Sequence, residues 1–138
     1  MQPFFSVIIP LYNKAPYIKR ALDSVLVQSY TNFEIVVVDD GSSDGGEVIV
    51  SNINDNKIRL ISQKNSGVSA ARNKGASKSK NEYLAFLDGD DTWEPNFLIE
   101  LVNLITNFPN AGIYGTSNSF IYPNGKKVAE DFSYLFTS

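Results

Sequence analysis

Apolar positions in the chain follow two alternating patterns. Short, mainly apolar runs at residues 4–9, 33–38, 58–62 and 83–87 have the length of buried strands, and the first three are rich in Val and Ile. Between them the spacing turns helical. Residues 16–28 carry Ile18, Ala21, Leu22, Val25 and Leu26 on one face, with Pro16 suited to a first turn. Asp44 is placed to cap a short helix over residues 45–53. Residues 66–77 carry Val68, Ala70, Ala71 and Ala76, a small-residue helix able to lie close to a sheet, and residues 95–108 are amphipathic through Leu98, Leu101, Val102 and Ile105. Ile113-Tyr114 is expected to open a further strand, and Pro123-Asn124-Gly125 to turn a hairpin. The β-α-β-α-β-α-β order predicts an α/β domain with a doubly wound, mainly parallel sheet and helices on both faces.

Composition narrows the chemistry. The 138 residues are 43% hydrophobic and 20% charged, enough for a core without covalent staples. With no cysteine there is no disulfide, thiolate nucleophile or zinc-thiolate site, and with no histidine there is no serine-histidine triad. A net charge of −3 argues against nucleic acid as a partner. No basic start with a cleavage site, and no apolar window near the roughly 20 residues of a membrane span, is present. The expected location is the cytoplasm, or the inner membrane face through regions outside this sequence.

In open α/β sheets ligands bind beyond the carboxyl ends of the strands, and the polar residues collect there. The first strand runs into Pro10-Leu11-Tyr12-Asn13, the second into Asp39-Asp40-Gly41-Ser42-Ser43-Asp44, and the fourth into Asp88-Gly89-Asp90-Asp91. Three carboxylates within four residues repel unless a cation or protons intervene, and hard oxygen donors suit magnesium, manganese or calcium. A plain acidic turn, with Asp91 capping the next helix, is the simpler account of the same residues. Asp39 and Asp40 follow a second strand, where a carboxylate often accepts from a nucleoside; a capping turn competes with that role. No glycine-rich phosphate loop is present, so phosphate charge must be met by metal and by basic side chains such as Arg72 at the start of the third helix. Tyr12 could stack on a base, and Trp93 is either a core anchor or a sugar platform.

Four motifs in order closely resemble the family 2 glycosyltransferases, the inverting family with the Rossmann-like GT-A fold: Val7-Ile8-Ile9-Pro10-Leu11-Tyr12-Asn13, Val38-Asp39-Asp40-Gly41-Ser42-Ser43-Asp44, Asn65-x-Gly67-x-x-x-Ala71-Arg72-Asn73-x-Gly75 and Phe86-Leu87-Asp88-Gly89-Asp90-Asp91. The resemblance covers residues 4–117. It implies that Pro10 and Tyr12 flank the nucleotide base, that Asp40, with Asp39 beside it, recognises the base, and that Arg72 lies near the nucleotide or its phosphates. Asp88 would approach the ribose, and Asp90, with Asp88, would hold a divalent metal, Mn2+ or Mg2+. The implied partners are a nucleotide-sugar donor, a UDP-sugar above all, and a carbohydrate or lipid-linked acceptor in surface polysaccharide synthesis. The family's acceptor side and catalytic base have no matching motif. Residues 1–138 are therefore expected to form one donor-binding domain, truncated on its acceptor side, and the nearby Glu130 and Asp131 are not assigned.

Two other functions fit parts of the same sequence. A donor half could bind a nucleotide sugar without turnover. Asp88-Gly89-Asp90-Asp91-Thr92 also resembles the nucleophile motif of haloacid-dehalogenase-type phosphatases, but that motif belongs on a first strand and needs downstream lysine and acidic motifs.

Overall fold

A computed structural model describes residues 2–129. The apolar runs form strands β1 (Phe5–Leu11), β2 (Phe33–Asp39), β3 (Ile58–Ser62) and β4 (Tyr83–Phe86), joined by helices α1 (Ala15–Leu26), α2 (Gly46–Ser51) and α3 (Val68–Lys78). The four strands pair in parallel in the order β3-β2-β1-β4, with Ile8 opposite both Val36 and Phe86 and Leu11 opposite Asp39. Every residue of β1 is buried, as are all but Glu34 of β2, because these two central strands are covered on both faces.

On one face, Ile8, Val36, Val38 and Ala71 form a buried cluster that places α3 against the sheet. The small residues of α3 permit this approach. A Cβ on Gly75 would stand 2.4 Å from Ile8 Cγ2. On the other face, Leu11 alternates away from Ile8 and approaches Gly46 at the start of α2, beside which α1 lies. α1 buries Ile18, Ala21, Leu22 and Val25, the face its periodicity predicts.

Contacts divide the chain into Met1–Val102 and Asn103–Ser138, with the division inside α4 (Phe97–Asn107). The second unit contains the end of α4 and an antiparallel pair, β5 (Ser119–Ile121) and β6 (Lys127–Ala129). The predicted hairpin turn forms: Gly125 has φ +80°, its N–H donates to the Tyr122 carbonyl, and the Asn124 carboxamide accepts from the Lys126 N–H. The strand expected from Ile113-Tyr114 does not form, and Ile113 is 91% exposed. Two apolar residues followed by Gly-Thr-Ser-Asn are too short a run without a neighbouring edge to pair with. Glu130 and Asp131 lie outside the described residues. No described helix is long and apolar enough to cross a membrane.

Candidate functional site

After β1 the chain winds to β2 and β3 on one side, then crosses to β4 on the other, so β1 and β4 flank the topological switch point of the sheet. A cleft of about 400 Å³ opens at their carboxyl ends. Pro10, Leu11 and Tyr12 line it from β1 and its exit, Lys14 from the approach to α1, and Asp40 from the end of β2. Asn65, Gly67, Val68 and Ala71 contribute the approach to α3 and its first turn, and Asp88, Gly89 and Asp90 close it after β4.

Hydrogen bonds between loops remote in the chain hold these segments in place. Asn13 adopts φ +50°, and its carboxamide oxygen accepts from the Ser43 N–H at 2.8 Å while its own N–H donates to Ser42 Oγ at 3.1 Å. Asp44 ties two helices together rather than capping one with a conventional side-chain cap. Its carboxylate accepts from the first N–H groups of both α1 (Ala15, 2.8 Å) and α2 (Gly46, 3.0 Å). Gly41 has φ +79°, and a Cβ there would lie 3.1 Å from the Asn65 nitrogen, so glycine allows the close approach of the β2 exit to Asn65.

Asp39 and Asp40 have separate roles. Asp39 makes the local turn, accepting from the Ser42 N–H at 3.0 Å, and is not among the cleft-lining residues. For Asp39 the structure thus shows the turn, with the residue directly beside Asp40. Asp40 is 2% exposed and accepts from Gln63 Nε2 (2.8 Å), Ser66 N–H (2.8 Å) and Gly67 N–H (2.9 Å). Burial pushes its carboxyl up, but these three donors outweigh burial and hold it below the usual range. Two backbone N–H groups just ahead of α3 are therefore taken by Asp40. Its Oδ2 has one donor, Gly67, leaving acceptor capacity at the cleft.

The acidic turn after β4 is neutralised by the protein itself, where the sequence suggests a bound cation or protons. Arg72 Nη2 donates to Asp88 Oδ1 at 2.6 Å, and Lys14 Nζ donates to Asp90 Oδ2 at 2.7 Å. Arg20 adds a hydrogen bond to the Asp90 carbonyl at 3.1 Å. The hydrogen bond from Lys14 holds the Asp90 carboxyl low, and the same bond raises Lys14. Asp91 is shifted up, by burial and then by the charges of Asp90 and Asp88. It caps no helix; its N–H closes a turn onto the Asp88 carbonyl.

Divalent metal chemistry fits this donor set in one form. Asp88 and Asp90 offer hard oxygens on one cleft, but no group of three or more His, Cys, Asp or Glu among the described residues could hold an ion. Two carboxylates are what a magnesium-type ion usually takes from protein, leaving other positions to water and phosphate.

Of the residues singled out in the sequence, Pro10, Tyr12, Asp40, Asp88 and Asp90 converge on the cleft, and Arg72 reaches it through Asp88. Trp93 does not line it; its ring stacks on Phe97 with centroids 4.2 Å apart. Lys14 and Gln63 were not identified from sequence. Lys14 directly follows the Pro10–Asn13 motif, but only the fold shows that its charge is directed to Asp90.

A parallel sheet in this order, with an acidic switch-point cleft, is the GT-A arrangement. The structure aligns with TarS 1–349 of S. aureus in complex with UDP-GlcNAc (TM-score 0.72, 29% identity, covering 86% of this chain and 38% of that one). It also aligns with the mannosyltransferase PcManGT of Pyrobaculum calidifontis in complex with GDP-Man and Mn2+ (TM-score 0.71, 29% identity, 76% and 33%). The chain belongs to glycosyl transferase family 2, whose model matches residues 6–136. It is 43% identical over 117 residues to an uncharacterized glycosyltransferase of Rickettsia felis, covering 82% of this chain and 19% of the relative. It is 40% identical over 135 residues to the glycosyltransferase AglE of Haloferax volcanii, covering 94% and 44%. The chain thus spans less than half the length of these relatives. The family match gives no support to the phosphatase alternative.

Proposed function

We propose that the cleft binds a nucleotide-diphosphate sugar, a UDP-sugar in particular, and that the protein is a glycosyltransferase passing the sugar to an acceptor hydroxyl with inversion, in surface polysaccharide synthesis. One observation carries the donor site: Pro10, Tyr12, Asp40, Asp88 and Asp90, from three separate strand ends, line a single cleft. Tyr12, 47% exposed, offers its ring to the base beside Pro10, and Asp40 offers its remaining acceptor capacity to a ring N–H. Asp88 faces the ribose, Asp88 and Asp90 hold Mn2+ or Mg2+, and Arg72 answers phosphate charge. The bound cation would neutralise the diphosphate and stabilise the leaving group. The acceptor on this reading is a carbohydrate or lipid-linked sugar, and no described residue is assigned as the catalytic base.

The TarS complex with UDP-GlcNAc and the PcManGT complex with GDP-Man and Mn2+ support a nucleotide-sugar donor and leave base selectivity to experiment. Thermal unfolding of the chain with UDP, UDP-GlcNAc or GDP-mannose, each with Mn2+ and with a chelator, tests the proposal. A ligand at a hundred times its dissociation constant stabilises by about 2.7 kcal/mol, a readily measured rise in midpoint. The expected result is a rise with uridine nucleotides that requires Mn2+. Equal rises with guanosine nucleotides would overturn the uridine preference, and no rise with any nucleotide would overturn the donor site.

A further inference from the structure

Both carboxylates assigned to the cation already have a cation of the protein's own. Lys14 Nζ is 2.7 Å from Asp90 and Arg72 Nη2 is 2.6 Å from Asp88, and the paired side chains are roughly 40% exposed. The two cations differ in freedom. Arg72 presents a planar guanidinium whose Nε is buried. Lys14 ends in a point charge on a four-carbon stem, and it lines the cleft itself. Its backbone carbonyl accepts from the Tyr17 and Ile18 N–H groups at the start of α1, so the side chain can turn while the helix stays fixed.

We propose that Lys14 is a resident counter-ion: it occupies Asp90 in the free protein, competes there with a divalent cation, and turns to the diphosphate when metal and nucleotide enter together. The proposal rests on the donor-site reading above. Around the turn after β4, Lys14 is paired with Asp90 and Arg72 with Asp88, while Arg20 bonds the Asp90 carbonyl. A divalent ion entering alone must displace Lys14 and leave an ammonium unpaired beside it. A diphosphate entering alone meets the carboxylates. When both enter, metal takes Asp90 and phosphate takes Lys14, so neither charge is left uncompensated. The exchange is accessible because a half-exposed ion pair contributes little to stability. Metal and nucleotide must then each tighten the other by the same factor.

The test is Mn2+ binding to the chain, by calorimetry or by the paramagnetic resonance of free Mn2+, with and without UDP. Lys14→Met is compared with wild type, with Lys14→Arg, and with Asp90→Asn alone or combined with Lys14→Met. Without nucleotide, Lys14→Met should bind Mn2+ roughly two- to fivefold tighter, the worth of a competing exposed ion pair, whereas Lys14→Arg should stay near wild type. The factor by which UDP tightens Mn2+, expected on the order of 5–150-fold in wild type, should fall in Lys14→Met. Unchanged or weaker Mn2+ binding by Lys14→Met, or the same gain in the Asp90→Asn background, would overturn the proposal. So would an absence of Mn2+ binding in every variant. If wild type binds no UDP while Lys14→Met still tightens Mn2+, the donor-site reading and the coupling fall and the counter-ion role stands. Far-ultraviolet dichroism and the unfolding midpoint identify any variant that has not folded.

Discussion

Asp40 shows how one side chain can serve both fold and site. Its buried carboxylate receives two backbone N–H groups just ahead of α3 and the Gln63 amide, so it fixes the α3 approach that forms one wall of the cleft. Asp40→Asn keeps the shape but turns an N–H donor towards one of these donors. It should destabilise by about 1–3 kcal/mol, the cost of an unsatisfied buried polar group. The sign of the pH effect follows from the carboxyl being held low in the fold. Its stabilisation is complete above the ordinary aspartate value of about 3.9 and is lost as pH falls through the lower folded value. In urea unfolding, the gap between wild type and Asp40→Asn should be widest near neutrality and narrow below about pH 4. A gap that stays constant with pH would mean that ionisation is not what the site uses.

Two contacts between elements set the positions of α3 and α4. At Gly75 a Cβ would lie 2.4 Å from Ile8 Cγ2 and 3.3 Å from Val38 Cγ2. Gly75→Ala gains up to about 1 kcal/mol of helix propensity but overpacks the core at about 1–3 kcal/mol, so net destabilisation is expected. Ile8→Ala removes the clashing methyl and should therefore cost less in the Gly75→Ala background than in wild type, a coupling measurable by denaturant unfolding. Gln28, buried at the end of α1, donates to the Glu94 carbonyl at 2.7 Å and accepts from the Leu98 N–H at 2.9 Å in the first turn of α4. Gln28→Leu should cost about 1–3 kcal/mol because the buried Leu98 N–H loses its acceptor. A neutral result in the same unfolding assay would show that the two helices are held by apolar packing alone.

Carboxylates with shifted titration lie at both ends of the sheet. At the amino ends, Glu34 is desolvated, yet bonds from Ser6 (2.7 Å) and the Lys80 N–H (3.0 Å) and the Arg59 charge hold its carboxyl low. At the carboxyl ends, Asp40 and Asp90 are held low and Asp91 is raised. Protonating the first three removes stability as pH falls below the carboxylate range, and protonating Asp91 opposes that loss. The unfolding midpoint should therefore drop between pH 5 and pH 3, a window set by ordinary carboxylate values of about 4; a flat profile would contradict it. Ligand binding acts at one end only. With UDP and Mn2+, hydrogen exchange should slow locally at residues 10–14, 65–68 and 88–90. Residues 78–81, at the opposite end, should change no more than the general stabilisation of the core amides.

The sequence by itself determined the order and type of the elements around the sheet, the buried face of α1, and the polar residues at the strand ends. Each of these follows from short-range periodicity or from which residue follows a strand. Pro10, Tyr12, Asp40, Asp88 and Asp90 come to one cleft because a parallel sheet carries all its strand exits to one edge. The sequence could not assign lone pairs and charges among groups remote in the chain. Only the tertiary structure gives Asp40 three internal donors, keeps Asp39 in its own turn, and sets Lys14 on Asp90 and Arg72 on Asp88. It also decides that Ile113 and Tyr114 stay unpaired, since a strand exists only beside a neighbour. Periodicity is a local property, whereas the allocation of hydrogen bonds and counter-ions depends on which elements the packed core brings together.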